Sequence, residues 1–195
     1  MALKFLQRER VKHSIKLFFL GSSNKRMAYL KKHHVFASVG ERSTYQGRIV
    51  PLYPELIKIG SNVRISSQVA FITHDTIHHM LNRKLREKRF RENLGCIEIG
   101  DNVFIGTGSR ILYNVRIGSD VVIGAGTLVN RDIPDNSVVA GVPARVICSL
   151  DDLIRRREAA GNIPEGMKVG SQYISPELVQ WCWDRFYDSR NGKTE

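Results

Sequence analysis

The chain has 195 residues, 42% hydrophobic and 25% charged, the composition of an ordinary globular domain with a real core. No apolar run approaches the ~20 residues of a transmembrane helix, and the four-residue apolar stretch Leu17–Leu20 is too short for the apolar region of a secretory signal, so neither a membrane span nor a secretory signal is expected and a cytoplasmic location is. The net charge of +11 leaves three partner classes: an anionic small molecule, a lipid-linked phosphate at a membrane surface, or nucleic acid.

Residues 3–36 carry apolar positions in a mixed pattern. They predict a helix to about Leu20, a break at Gly21-Ser22-Ser23-Asn24, and a second short helix. The basic face Lys4, Arg8, Arg10, Lys12 and Lys16 is either solvated or set against anionic headgroups. His13, His33 and His34 are read as solvated. From Gly40 to Pro54 the chain is punctuated by Gly and Pro and predicts an irregular first coil.

From Ile57 onward the sequence breaks into sixes. IKIGSN, VRISSQ and VAFITH come first. After an interruption follow IEIGDN, VFIGTG, SRILYN, VRIGSD, VVIGAG and TLVNRD. The third position is apolar in all nine: Ile59, Ile65, Phe71, Ile99, Ile105, Ile111, Ile117, Ile123 and Val129. The fourth is Gly at 60, 100, 106, 118 and 124. Positions one and three are two apart, so they share one face of a short strand. The Gly, Ser, Asp and Asn that follow form turns, with Gly expected to supply the positive φ of each corner. Short strand and corner, repeated, describe a flat-sided solenoid whose coils are stable only when stacked.

The repeat stops at Thr73-His74 and resumes at Ile97. The intervening HDTIHHMLNRKLREKRFRENLGC has 23 residues, long for a connection in a compact domain and therefore a candidate functional loop. It holds His74, His78 and His79, and is basic through Arg83, Lys84, Arg86, Lys88, Arg89 and Arg91.

After Val129 the register decays into NRDIPDNSVVAGVPARVI. Leu150–Ala160 predicts a helix with Asp151 and Asp152 suited to its first turn, and Gly161–Ser171 a linker. Ser175-Pro176-Glu177-Leu178 is a helix start, and the helix bearing Trp181, Trp183 and Phe186 is expected to pack on the solenoid or a neighbour. Cys96, Cys148 and Cys182 offer no disulfide framework or zinc spacing and are expected as small buried hydrophobes.

The sixes, the Thr-His string before the long loop, and Asp132-Ile133-Pro134 followed by Ala140-Gly141-Val142-Pro143-Ala144-Arg145 resemble the bacterial hexapeptide acyltransferases. The galactoside and maltose acetyltransferases of that family are the best match. The resemblance covers roughly residues 57–149. It implies a mainly β fold: a left-handed parallel β-helix with N- and C-terminal helices and a long loop between coils. The segments are 1–39 (helical), 40–149 (β-helix, with loop 75–95) and 150–195 (helical extension). It further implies acetyl-coenzyme A as co-substrate and His74 as general base in direct transfer to a sugar or cell-surface polysaccharide hydroxyl. Glu55, Asp75, His78 and His79 are acceptor-binding candidates. Phe104, Gly106, Thr107, Gly124, Ala125, Asn130, Arg131 and Arg145 are cofactor-binding candidates. No metal is expected. The assembly implied is a homotrimer with sites between subunits, acting on a small-molecule or lipid-linked acceptor, with peripheral membrane contact as an option and no nucleic acid. Where relatives carry Pro after the histidine, this chain has Asp75; where they often carry Trp, Thr-Lys and a late basic residue, it has Phe104, Asn130-Arg131 and Cys148. An antibiotic (streptogramin-type) or serine acetyltransferase is the alternative within the class. A non-catalytic basic solenoid that binds nucleic acid or serves as a scaffold is the alternative outside it.

Overall fold

The computed structural model describes residues 2–192 apart from 88, 162, 165, 168, 171 and 172, and for 2–7 and 169–170 it describes the backbone alone. Lys88 and Ser171, and the side chain of Lys4, thus lie outside the described residues. The chain forms two compact units, 1–154 and 155–195.

The first unit opens with helices α1 (Ala2–Phe19) and α2 (Ser23–Lys32). Ser22 caps α2 by accepting a hydrogen bond from the Lys25 amide, so the break is shorter than the turn-forming residues suggest. Strands β1 (Ser38–Val39) and β2 (Thr44–Tyr45) begin the first coil, and its third side is irregular, ending in a 3-10 turn at Pro54–Leu56.

The sixes then form the strands of the solenoid. They are β3 (Ile57–Ile59), β4 (Arg64–Ile65) and β5 (Ala70–Ile72), then, after the interruption, β8 (Ile97–Ile99), β9 (Val103–Ile105), β10 (Arg110–Leu112), β11 (Val115–Ile117), β12 (Val121–Ile123) and β13 (Leu128–Val129). They pair in parallel on three sides. One sheet runs β1-β3-β8-β11, the second β5-β10-β13, and the third contains β2-β4-β9-β12. Val103 sits beside Val121 and Ile97 beside Val115, one 18-residue coil apart. Across the interruption, Ile57 pairs with Ile97 in the same register, so the excursion leaves the stack undisturbed.

All nine third-position residues are buried, and so are the first-position residues, including Ser109 and Thr127. Those two hydroxyls both donate to the Gly124 carbonyl, at 2.9 and 2.7 Å, which satisfies them inside an apolar stack.

The corners differ from expectation. Gly60, Gly100, Gly106, Gly118 and Gly124 do not adopt positive φ. The left-handed residue is the sixth of seven of the nine sixes: Asn62, Gln68, Asn102, Gly108, Asn114, Asp120 and Gly126, with φ from 55 to 74°. Asn and Asp tolerate this conformation, and here they also bond coil to coil: Asn62 donates to Asn102 and Asn102 to Asp120, each at 3.0 Å. The fourth-position glycines serve close approach instead. A Cβ on Gly106 would lie 2.5 Å from the Ala125 nitrogen of the next coil.

The interruption is not a bare loop. Strand β6 (His74–Asp75) pairs antiparallel with β7 (Asn93–Leu94), and helix α3 (Ile77–Lys84) fills part of the space between. The solenoid ends in β14 (Ser137–Ala140), parallel to β12, and β15 (Arg145–Ser149), which folds back antiparallel on β14. The boundary between units falls within α4 (Leu150–Ala159). The second unit holds the short antiparallel pair β16 (Val169–Gly170) and β17 (Tyr173–Ile174), where a plain linker was expected, and α5 (Pro176–Asp188), capped by Ser175.

Two further expectations fail. His13 is not solvated: it is half-buried, shares a 2.9 Å hydrogen bond with the Tyr29 hydroxyl and packs against the rings of Tyr29 and His33. The cysteines are not buried: Cys96 and Cys182 are exposed and Cys148 is half-buried, because none of them falls on an inward column. Among the described residues no helix is long and apolar enough to cross a membrane.

Candidate active site

His74 occupies the sixth position of VAFITH. Its counterparts in seven sixes turn left-handed and continue the coil; His74 instead stays extended in β6 and leads the chain out. The failed corner is where the chain leaves the stack.

One ring contact, backed by two hydrogen bonds among its neighbours, positions the imidazole. Thr73, fully buried, donates its hydroxyl to the Leu52 carbonyl at 2.6 Å and so ties the coil before His74 to the irregular segment of the first coil. Tyr53 follows Leu52, and its ring stands perpendicular to the His74 ring, centroids 5.4 Å apart. Tyr53 reaches that position through φ 51°, a conformation that costs a bulky residue of order 1–3 kcal/mol and is found at functional sites. The Tyr53 hydroxyl donates to Glu92 at 3.2–3.3 Å, and desolvation together with that carboxylate raises its pKa above the usual phenol value. The Nδ1 of His74 is buried with no hydrogen-bond partner among the described residues.

Asp75 is engaged by its neighbours. Its carboxylate accepts from the Tyr113 hydroxyl at 2.7 Å, the Ile77 amide at 3.0 Å and the Asn93 side chain at 3.3 Å. The Tyr113 hydrogen bond first, then the Ile77 amide, hold its pKa below the ordinary carboxylate value. His78, on α3, also has a buried and unpartnered Nδ1, and its ring lies 4.0 Å from that of His79. Among the described residues no three His, Cys, Asp or Glu side chains are grouped to hold a metal ion.

A cleft of about 580 Å³ opens between α1, the end of α2 and the Val50–Glu55 segment. Tyr53 and Glu55 line one side, and Arg10, His13 and His33 the other. Glu55 is exposed on the 3-10 turn. Tyr53 is therefore shared between the cleft and the His74 ring.

The cofactor candidates fall at separate places. Gly106-Thr107 and Gly124-Ala125 stack as successive corners, joined by the Gly126 amide donating to the Thr107 carbonyl at 2.8 Å. They precede β10 and β13. Asn130 and Arg131 follow β13 at its carboxyl end, as His74 follows β5, the other outer strand of that sheet. Phe104 is exposed on the face of β9, beside Arg64 and Val122. Arg145 is exposed at the start of β15 and donates to the Ala144 carbonyl. In one chain the structure brings together His74, Asp75 and α3 on one side, and the two glycine corners on another. Tyr53, Glu92 and Tyr113 escape sequence reading, since they lie outside the repeat motif or at one of its variable positions; Thr73 was visible only as the residue before the histidine, without its role in tying the coil to Leu52.

The bacterial transferase hexapeptide family, described as six repeats, matches residues 96–131. "Putative acetyltransferase YvoF" of Bacillus subtilis is 30% identical over 140 residues, 71% of this chain and 73% of that protein. The galactoside O-acetyltransferase of Escherichia coli is 42% identical over 97 residues, 49% of this chain and 45% of its own length, so the chain spans under half of that relative. Among solved structures, a galactoside acetyltransferase in complex with coenzyme A superposes with a TM-score of 0.54 at 26% identity, covering 85% of this chain and 90% of that one. The repeated coils, the excursion after the last residue of a six, and identity that runs through most of both chains lead to one assignment: the chain belongs to the hexapeptide-repeat acyltransferase family.

Proposed function

We propose that this protein is an acetyl-coenzyme A-dependent O-acetyltransferase that acts on a hydroxyl of a sugar or polysaccharide precursor, with His74 as the general base. The observation that carries the reading is the failed corner: His74 sits where the coil should turn, and the chain leaves the stack there. Relatives named as galactoside acetyltransferases, one of them bound to coenzyme A, support the co-substrate and the acceptor class.

The chemistry follows from the groups present. A sugar hydroxyl is a weak nucleophile near neutral pH. An imidazole, with an ordinary pKa of ~6.5, takes its proton as the oxygen attacks the thioester carbon. The tetrahedral oxyanion collapses, the carbon–sulfur bond breaks, and the proton on the imidazole passes to the departing sulfur. Burial of Nδ1 leaves Nε2 as the nitrogen that meets the substrate. No acyl-enzyme is required, because holding both substrates together supplies much of the rate. Tyr53 fixes the face of the imidazole, Glu55 and the cleft beside it receive the acceptor, and His78 and His79 flank the other side. Asp75 acts by holding the excursion closed.

The glycine corners, Phe104 and Arg145 hold the acetyl-coenzyme A, glycines allowing close approach of the pantetheine and Arg145 meeting phosphate. Arg131 and Asn130, like His74, follow the carboxyl ends of strands in one sheet, whereas the glycine corners precede the amino ends of β10 and β13. That separation favours a groove built by two copies, each giving one edge, and hence a homotrimer; the left hand of the coil is likewise taken from the family. Thiol release from acetyl-coenzyme A with a panel of sugars tests the reading. His74→Ala is expected to lower turnover by about a hundredfold or more while leaving folding and cofactor binding intact; near-normal turnover in that variant would remove His74 from the mechanism.

A further inference from the structure

Helix α1 is apolar on two opposite faces. Its inner side places Leu17 in the core and His13 and Ser14 against the following segments, the Ser14 hydroxyl accepting from the Val50 amide. Its outer side should then be polar. Instead Val11, Ile15, Phe18 and Phe19 are 47, 56, 65 and 79% exposed. The first three fall at i, i+4 and i+7, one continuous stripe, and Phe19 widens it.

Cations border this stripe on both sides. Arg8, Lys12 and Lys16 run along one side, all exposed. On the other, the Arg48 guanidinium stacks 5.0 Å over the Phe18 ring and donates to the Phe18 carbonyl at 2.7 Å, and next to it Ile49 is 72% exposed. Glu9, the one acidic residue in the α1 sequence, is paired with Lys12 at 2.5 Å. Aromatic and branched side chains flanked by a row of Lys and Arg on one side and by Arg48 on the other are the composition of a helix that lies in the headgroup region of a bilayer, its apolar stripe dipped toward the acyl chains and its cations on phosphate.

We propose that the outer face of α1, with Arg48 and Ile49, docks this protein on an anionic lipid surface. Two other occupants fit less well. In a two-fold pair of copies this face would meet itself, setting Arg8, Lys12, Lys16 and Arg48 against the same four cations. Nucleic acid would be met by the cations, but it would leave the center of the patch, Ile15 with Val11, without an apolar partner. The inference does not depend on the reaction assigned above, and its readout is binding, so the two can fail separately.

The test is flotation of the full chain with vesicles of phosphatidylcholine alone and of an equimolar mixture with phosphatidylglycerol. The chain should float with the mixed vesicles, about tenfold or more better than with phosphatidylcholine alone, and salt should weaken the binding. The double variant Ile15→Ser/Phe19→Ser should lose about tenfold or more of it, with thermal unfolding and light-scattering mass unchanged; Lys16→Glu should weaken it in the same direction. Equal flotation of the double variant would overturn the proposal, as would no flotation at all. A drop in assembly size in that variant would assign the face to a second copy instead. Duplex DNA bound by the wild type and lost on Lys16→Glu, with vesicles left unbound, would assign it to nucleic acid.

Discussion

Tyr113 donates its hydroxyl to the carboxylate of Asp75, 38 residues earlier in the chain, over 2.7 Å, and this bond pins the base of the excursion to the coil above it. Asn93 completes a triangle, donating to both Asp75 and Tyr113. Tyr113→Phe keeps the ring and removes the donor. Amide exchange at Asn93–Gly95 should speed severalfold while the cooperative unfolding transition barely moves, since the solenoid core does not include this knot. Unchanged exchange would mean that the β6·β7 pairing alone holds the loop.

The same bond has a pH signature. The folded Asp75 pKa lies below its unfolded value, so its contribution is fully present above the ordinary carboxylate range and is lost as pH falls through the depressed folded value. Loop closure should therefore survive mild acid and open only below the usual aspartate range. Tyr113→Phe should shift that opening upward toward the ordinary carboxylate pKa, read from exchange or from fluorescence of a probe on the loop.

His13 works in the opposite sense to a histidine that gains an acidic partner. Desolvation first, and the neighbouring His33 next, lower its pKa in the folded chain. Between the ordinary imidazole value of ~6.5 and that depressed value, the unfolded chain binds a proton that the folded chain refuses. Stability should fall as pH drops through this window, and His13→Gln should flatten that part of the profile. A melting series at stepped pH values measures it; an unchanged slope would place the acid sensitivity elsewhere.

Gly106 and Gly108 are two residues apart and should fail for different reasons. At Gly106 an added Cβ meets backbone of the next coil at 2.5–2.8 Å, so Gly106→Ala must push two coils apart. At Gly108 nothing lies within 4 Å, and the penalty is the left-handed φ of 74°, about 1–2 kcal/mol. Gly108→Asn should recover most of that loss, because Asn fills the equivalent corner in the coils at 62, 102 and 114; Gly106→Asn should recover nothing. Thermal melts of the four variants separate the two mechanisms.

Neighbouring residues of β9 should divide stability from binding. Ile105 is fully buried, and Ile105→Ala should cost about 2–5 kcal/mol in denaturant unfolding. Phe104 is 43% exposed on the outer face, so Phe104→Ala should leave the midpoint almost unchanged and raise KM for acetyl-coenzyme A. A large stability loss at Phe104 would show that the ring serves packing.

The stacked columns were readable because each depends on one local rule: a side chain two residues from a buried one faces the same way. Hence every third-position residue from Ile59 to Val129 lies in the core. The corner chemistry was misassigned because three turn-forming residues follow each strand, and the pattern alone does not say which one carries the left-handed turn; the φ values at the sixth position and the bonds from Asn62 to Asn102 and from Asn102 to Asp120 decide it. His74 was conspicuous as the residue at which the sixes stop. Its surroundings were not, since Tyr53, Thr73 and Glu92 meet through coil closure and no spacing encodes the meeting. The helix inside the excursion was missed because its apolar residues, such as Ile77 and Met80, are exposed and the segment reads as polar and basic.

The backward turn of β15 onto β14 has a consequence for what happens at the end of the stack. A solenoid of parallel coils is an open-ended template, and its last coil offers the same hydrogen-bonding groups that recruited every earlier one. Here the terminal strand of one sheet runs the wrong way, with its register broken between Val138 and Val139. An incoming coil from another molecule would find neither the direction nor the spacing it needs on that side. The few residues that finish this sheet thus oppose end-to-end joining of separate molecules along that side of the stack.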